Sequence, residues 1–287
     1  MDTKTQAIRD TKLEGISVLE SPVVGNLVYD ERGREILAIH NERFRGVSGV
    51  EDKTRYGKGQ PISYSNVPRA LGINQILMEE TGGDLRVLSG TDVVRFWDAI
   101  MNIPDARSTY ADSSSVVAYP KEGPNEDLRQ RVLGIAGKGK SKVPVVVTGL
   151  GVERPDNDYG FTFTETDFMN FEDAPYLTED GLVVYDASKN GLVKSDRDKG
   201  VRVYTPGTQS GLRRLCRGGG VDLVARYVNL VNSNDTGRVQ VIQDPKGLGA
   251  KLEEGRLALD KEATEMKAQI DARLEASKSY LHTGKLK

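Results

Sequence analysis

Residues 84–151 read DLRVLSGTDVVRFWDAIMNIPDARSTYADSSSVVAYPKEGPNEDLRQRVLGIAGKGKSKVPVVVTGLG, and this stretch decides the fold reading. Leu85-Arg86-Val87-Leu88 is a short apolar run, Val93 to Ile103 has helical spacing, and Ser115 to Tyr119 is apolar again. Leu128 to Ala136 is a second amphipathic segment, and Val143 to Thr148 (VPVVVT) is the most β-branched run in the chain. Branched residues suit strands, while apolar residues every three or four positions suit helices. The order is strand, helix, strand, helix, strand, which predicts a parallel βαβαβ unit with crossover helices. The VPVVVT run is expected to be buried on both faces of its sheet.

The two helices carry their own punctuation. Thr91 is the expected N-cap of the first, with Asp92 in its positive first turn and Pro104 as its stop. Val93, Phe96, Trp97 and Ile100 share a face and are assigned to the sheet. Asn125 can cap the second, Leu128, Val132 and Ile135 form its buried stripe, and Gly137 and Gly139 end it.

On the N-terminal side, residues 1–22 form a polar arm with no apolar leader segment. Val23 to Tyr29 and Ile36 to His40 flank a charged, turn-like segment and read as a β-hairpin with Gly33 supplying a positive φ. Arg43 to Ser65 is rich in glycine and charge and reads as a long loop. Pro68 to Thr81 reads as a helix closed by Gly82-Gly83.

On the C-terminal side, residues 160–243 read as an antiparallel extension. Phe161 to Thr164 alternates, Leu182 to Asp186 and Leu192 to Lys194 flank a hairpin turn, and Val201 to Tyr204 adds a strand. Leu212 to Arg217 reads as a short helix. Val221 to Val231 fits a helix through Val221, Val224, Val228 and Val231, and a strand through Val221, Leu223, Ala225 and Tyr227; the helix is preferred. Arg238 to Gln243 alternates as a strand.

Pro245 and Gly247 mark a boundary between a mixed body, 23–244, and a C-terminal segment, 245–287. There Leu252, Leu259, Ala263, Met266, Ile270, Leu274 and Leu281 fall on one stripe, at a spacing close to the roughly 3.6 residues of a helical turn. A helix of that kind is marginal in water unless its apolar side is packed, so the stripe is the expected association element, toward another copy or a protein partner. The fold expectation is α/β or α+β: a parallel βαβαβ centre, antiparallel hairpins and a long C-terminal amphipathic helix.

Composition narrows the chemistry. The chain of 287 residues is 37% hydrophobic and 29% charged, as folded proteins are, and its 40 basic and 42 acidic side chains nearly cancel. That balance gives no indication of nucleic-acid binding, and no apolar run is long enough to span a bilayer. Cys216 is the only cysteine, so no intrachain disulfide is possible, and the expected setting is cytoplasmic or an intracellularly assembled particle. His40 and His282 are the only histidines and lie far apart, so no metal site and no cofactor are expected.

Several stretches can carry chemistry. Tyr204 to Gly211 is a Gly- and hydroxyl-bearing turn ahead of Arg213, Arg214 and Arg217, an arrangement that can hold an anion on Gly207, Ser210, Gly211 and the three guanidinium groups. It lacks the Gly-Lys-Ser/Thr of a Walker A loop, and its plain reading is a tight turn with arginines paired to carboxylates. If the sheet is parallel, the loops Ser89 to Asp92, Pro120 to Gly123 and Gly149 to Glu153 share one edge, where α/β sheets bind ligands. Asp156 to Gly160, Asp196 to Gly200 and Asn232 to Gly237 are Asx-rich but complete no calcium loop, and Asp, Asn and Gly are what turns use. Cys216, spaced with Leu212 and Leu215, reads as a buried small hydrophobe. Asp112, Glu122, Glu126 and Asp127 can supply a carboxylate pair for acid–base work, but among 42 acidic residues such proximity in sequence carries almost no information.

No complete catalytic motif is present, and the expected function is non-enzymatic: a structural or assembly protein working through protein contacts. The alternative is an enzyme or binding module for a phosphorylated or anionic small molecule, at the 205–217 turn or the strand-end loops. A concave pocket with convergent polar groups at those loops is the observation that favours the alternative.

Overall fold

The computed structural model describes residues 23–155, 160–220, 222–243 and 266–267. Contacts divide the chain into two units, 1–243 and 244–287. Of the second, Met266 and Lys267 are described; both are helical and exposed. The other stripe residues, Leu252, Leu259, Ala263, Ile270, Leu274 and Leu281, and the polar arm 1–22 lie outside the described residues.

β1 (Val23–Asn26) is followed by α1 (Glu31–Arg43), not by the second strand of a hairpin. Asp30 caps the helix, its carboxylate accepting from Gly33 N at 2.8 Å. Ile36, Leu37 and His40 are buried along one helical face. In a window as short as Ile36 to His40, a strand and a helical stripe have the same apolar content, and the cap decides between them. Gly33 does not supply the expected positive φ: it is helical, and glycine is required there because a Cβ would meet the Val28 carbonyl oxygen at 1.9 Å. The 43–65 segment is the expected loop, pinned by the buried Phe44, Val47, Val50 and Ile62. α2 (Val67–Thr81) follows, capped by Asn66 and closed by Gly82 in the left-handed region.

The strand–helix alternation of 84–151 is present. It comprises β2 (Leu85–Val87), α3 (Gly90–Arg95) with α4 (Trp97–Met101), β3 (Tyr110–Ala118), α5 (Glu126–Ile135) and β4 (Val145–Thr148). The parallel unit is not. β4 runs antiparallel to β3, with Ala118 opposite Val145 and Ser115 opposite Thr148, and β2 belongs to another sheet. The segment carrying α5 leaves β3 at Ala118 and re-enters beside it, so it turns back at one end of the sheet instead of crossing it. Periodicity records which residues are buried and not the direction of a strand. Ser89, not Thr91, caps α3 in a reciprocal box with Asp92. Asn125 precedes α5 with φ 59° and makes no cap; its amide donates to the carbonyls of Leu212 and Val228.

β5 (Gly151–Glu153) and β6 (Thr162–Thr164) form a small ribbon. β7 (Asn170–Asp173), β8 (Gly181–Asp186), β9 (Gly191–Lys194), β10 (Val201–Tyr204), β11 (Leu212–Gly218) and β12 (Asp222–Val224) complete the large sheet. Its nine strands run β7-β4-β3-β11-β12-β10-β8-β9, with β13 (Gly237–Arg238) added beside β3. Only β10–β12 and β13–β3 are parallel pairs, and the sheet curls into a half-barrel. β14 (Gln240–Gln243) sits between β1 and β2 in a three-stranded sheet. The protein is a mixed α+β fold whose large sheet is mostly antiparallel.

Two segments expected as helices are extended. Leu212 to Arg217 is β11, a central strand, because Arg213, Arg214 and Arg217 are all buried, whereas an amphipathic helix would turn them to water. A bulge between Arg214 and Cys216 breaks the strict alternation that would have marked it as a strand. Residues 222–231 are not a helix: β12 covers Asp222–Val224 and the chain then runs without regular structure, while Val221 lies outside the described residues. The carbonyls of 226–232 that a helix would use internally are bonded instead by Arg213, the Arg214 amide, Asn125, the Val67 amide, Asn66 and the Arg214 side chain.

The core lies on both faces of the sheet. Val145 and Val147 pack with α2, and Val146 with the side chains of β8, β10 and β12. His40 is buried against Gly72 and Phe44, and its Nε2 has no hydrogen-bond partner among the described residues. Burial, reinforced by the Arg69 charge, holds its pKa down to about 4, so the imidazole is neutral at pH 7.

Candidate functional site

The 205–217 turn is an internal clamp. Gly211 has φ 76°, and a Cβ there would lie 2.4 Å from the Pro124 carbonyl oxygen, so the turn sits on the 120–124 loop. Gly211 N donates to Lys121 O at 2.9 Å, and Ser210 bridges to Lys121. Gly207 is exposed at the tip. The guanidinium of Arg213 donates to the carbonyls of Ser210 and Arg226. Arg214 grips both carboxylate oxygens of Asp112, stacks over the Tyr110 ring, and donates to Asn232 O at 3.0 Å. Arg217 is fully buried and donates to the carbonyls of Ala106 and Gly218, to Gln240 and to Thr109. Burial lowers the pKa of Arg213 and Arg217, whereas the Asp112 carboxylate raises that of Arg214 against its burial. Arg213 and Arg214 tie the 226–232 segment to the sheet, and Arg217 ties the 106–109 turn and β14 to it.

Two of the three strand-end loops meet; the third does not. The 120–123 loop lies on the 210–211 turn, where a Cβ on Gly123 would come within 2.9 Å of Gly211 N. The 89–92 and 148–149 segments line a common cavity of about 310 Å³, shared with β7 and the β8–β9 hairpin. Gly90 N donates to Ser115 Oγ, and that hydroxyl pairs with Thr148 Oγ1 at 2.7 Å, which fixes the start of α3 against β4.

The cavity collects polar groups from distant parts of the chain. Arg86 bonds Asp92 through both terminal nitrogens. Burial works to raise the Asp92 pKa, but the bonds from Arg86 and Ser89 outweigh it and leave it below the ordinary carboxylate value. Arg95 extends from α3 with its guanidinium 4.8 Å from the Phe96 ring centre and 5.0 Å from that of Tyr185. It makes no ion pair among the described residues. Glu172 Oε1 accepts from Tyr176 Oη at 2.7 Å and from Thr91 Oγ1 at 3.4 Å. Burial, and then the Glu172 charge, push the Tyr176 hydroxyl well above its ordinary pKa, so it remains a donor. Asn190, at φ 47°, accepts from Tyr185 Oη, and Asn170 and Phe168 complete the wall.

The remaining candidates stand apart. Asp112 is consumed by Arg214, while Glu126 takes bonds from Arg129 and Gln130 that bring its pKa down to about 2. Glu122 and Asp127 join neither. Cys216 is buried, and burial pushes its thiol up to about 12. The 196–200 and 232–237 turns are closed by their own side chains: Ser195 donates to the carbonyls of Arg197 and Lys199, and Asn234 accepts from Thr236. Residues 156–159 lie outside the described residues. No group of three His, Cys, Asp or Glu able to hold a metal ion occurs among the described residues, and none of their helices is long and apolar enough to cross a membrane.

Sequence reasoning placed Ser89, Thr91 and Gly149 at this edge but missed Arg95, Glu172, Asn170, Tyr185 and Asn190. The one local signal was the spacing of Thr91 and Arg95, four residues apart on one helical face. Comparison with protein-family models, with characterised proteins and with solved structures returned no match for this chain.

Proposed function

We propose that the body of this protein is a binding module for a small molecule carrying a carboxylate or phosphate, held in the cavity between α3, β4, β7 and the β8–β9 hairpin. The observation that carries this reading is Arg95, a cation with ring contacts and no carboxylate partner among the described residues, set in a concavity lined with hydroxyls and amides. Such convergence of polar groups in a cleft is how specific sites are built. The Arg86–Asp92 pair is internally neutral and serves to hold the wall.

Thermal unfolding of the full chain with inorganic phosphate, sugar phosphates, nucleotides and amino or dicarboxylic acids tests this. At a hundredfold its dissociation constant a bound ligand adds about 2.7 kcal/mol, a shift of several degrees for a domain of this size. Arg95→Ala, at an exposed position, is expected to abolish that shift and leave the unliganded melting temperature unchanged. If no compound in the panel moves the wild-type transition, the reading falls.

A second reading, association through protein contacts, is supported by the 226–232 segment. Its carbonyls are pinned inward, whereas Tyr227, Val228 and Val231 are exposed. A rigid backbone presenting apolar side chains loses little entropy when a partner covers them. With the apolar stripe of 252–281 it makes a homo-oligomer or a protein partner the natural proposal. Light scattering on the full chain is expected to show an oligomer whose mass falls on truncation after Gly247 or on Tyr227→Ser with Val228→Ser. A monomeric full-length chain would overturn it.

A further inference from the structure

The cavity holds two opposite charges that do not neutralise each other. Among the described residues, Arg95 meets the rings of Phe96 and Tyr185. Glu172 spends Oε1 on two hydroxyl donors, while Oε2 faces the bare Gly191, where even a Cβ would stand 3.6 Å away. Both line the same space, yet they form no ion pair with each other. The Arg95 guanidinium is held instead over the Phe96 and Tyr185 rings, although Thr91, which donates to Glu172, lies one helical turn before it.

We propose that the site takes a zwitterion of the amino-acid class, its carboxylate on Arg95 and its ammonium on Glu172. This rests on the binding reading above and narrows it. A simple anion held by Arg95 is repelled by Glu172, and a simple cation held by Glu172 is repelled by Arg95. A ligand bearing both charges, a few ångströms apart, satisfies each and is selected by those repulsions. Thr148, Asn170 and Asn190 offer neutral hydrogen bonds beside the charged pair, and Phe168 offers an aromatic surface for an apolar side chain.

Titration calorimetry on the full chain with L-leucine and L-phenylalanine, their N-acetyl derivatives, their amides and inorganic phosphate separates the possibilities. The free amino acid is expected to bind at least about tenfold more tightly than either blocked form, the usual worth of one hydrogen bond between charged groups. Glu172→Gln should erase the preference over the N-acetyl derivative while retaining the preference over the amide. Arg95→Met should do the reverse, and because Arg95 is exposed this variant stays informative if loss of the Tyr176 contact unfolds the first. Equal or tighter binding of phosphate or of the N-acetyl derivative overturns the zwitterion assignment and leaves an anion site. Absence of binding by every probe overturns both.

Discussion

Asp112→Ala is expected to leave the body unfolded, or soluble only in trace, under conditions in which the wild-type chain is native. Asp112 on β3 and Arg214 on the neighbouring β11 are both buried and form a diagonal, two-bonded pair in the large sheet, Asp112 lying opposite Cys216. Removing the carboxylate strands a guanidinium in the sheet, and breaking a buried pair from one side costs about 3–5 kcal/mol. That is a large share of a total stability of about 5–15 kcal/mol. Asp112→Ala combined with Arg214→Met should recover much of the loss, since the stranded charge goes with its partner. Guanidinium-chloride midpoints for the two variants decide this. A wild-type midpoint for Asp112→Ala would mean that solvent reaches Arg214 and the pair is dispensable.

Val145→Asp is expected to abolish soluble expression altogether. β4 lies between β3 and β7, and Val145, Val146 and Val147 are all buried, on alternating faces of the sheet. A carboxylate at 145 enters the apolar cluster formed with α2. The cost of an unpaired buried charge is several kcal/mol, added to the lost packing of the valine. Val145→Ala separates the two contributions: it should express and melt lower. A folded Val145→Asp with wild-type melting would remove β4 from the core.

The elements legible from residue order were those in which one face is buried over a long enough run. α2 showed itself by its apolar stripe and by the Gly82 that ends it, and β4 by three consecutive branched residues. The β8–β9 hairpin was readable from two apolar runs on either side of Ser188 to Gly191. In each case burial and backbone preference are set by neighbours in the chain, so the pattern is local. β11 was read as a helix for the opposite reason. Its arginines look like a solvated face, and what keeps them inside is a carboxylate 102 residues away and carbonyls from another segment.

Residue order by itself determined that strands and helices alternate through 84–151, that the VPVVVT run is buried, and that the loops at Ser89 and Gly149 lie at strand ends. Strand direction was left to the tertiary structure, because an antiparallel return and a parallel crossover leave the same alternation in the sequence. The candidate site was left to it as well. Arg95 and Glu172 are ordinary surface charges until β7 is laid beside β4 and the β8–β9 hairpin closes over α3. Only then do two charges from separate elements face one cavity without touching, and the field they create there belongs to the fold, not to either segment.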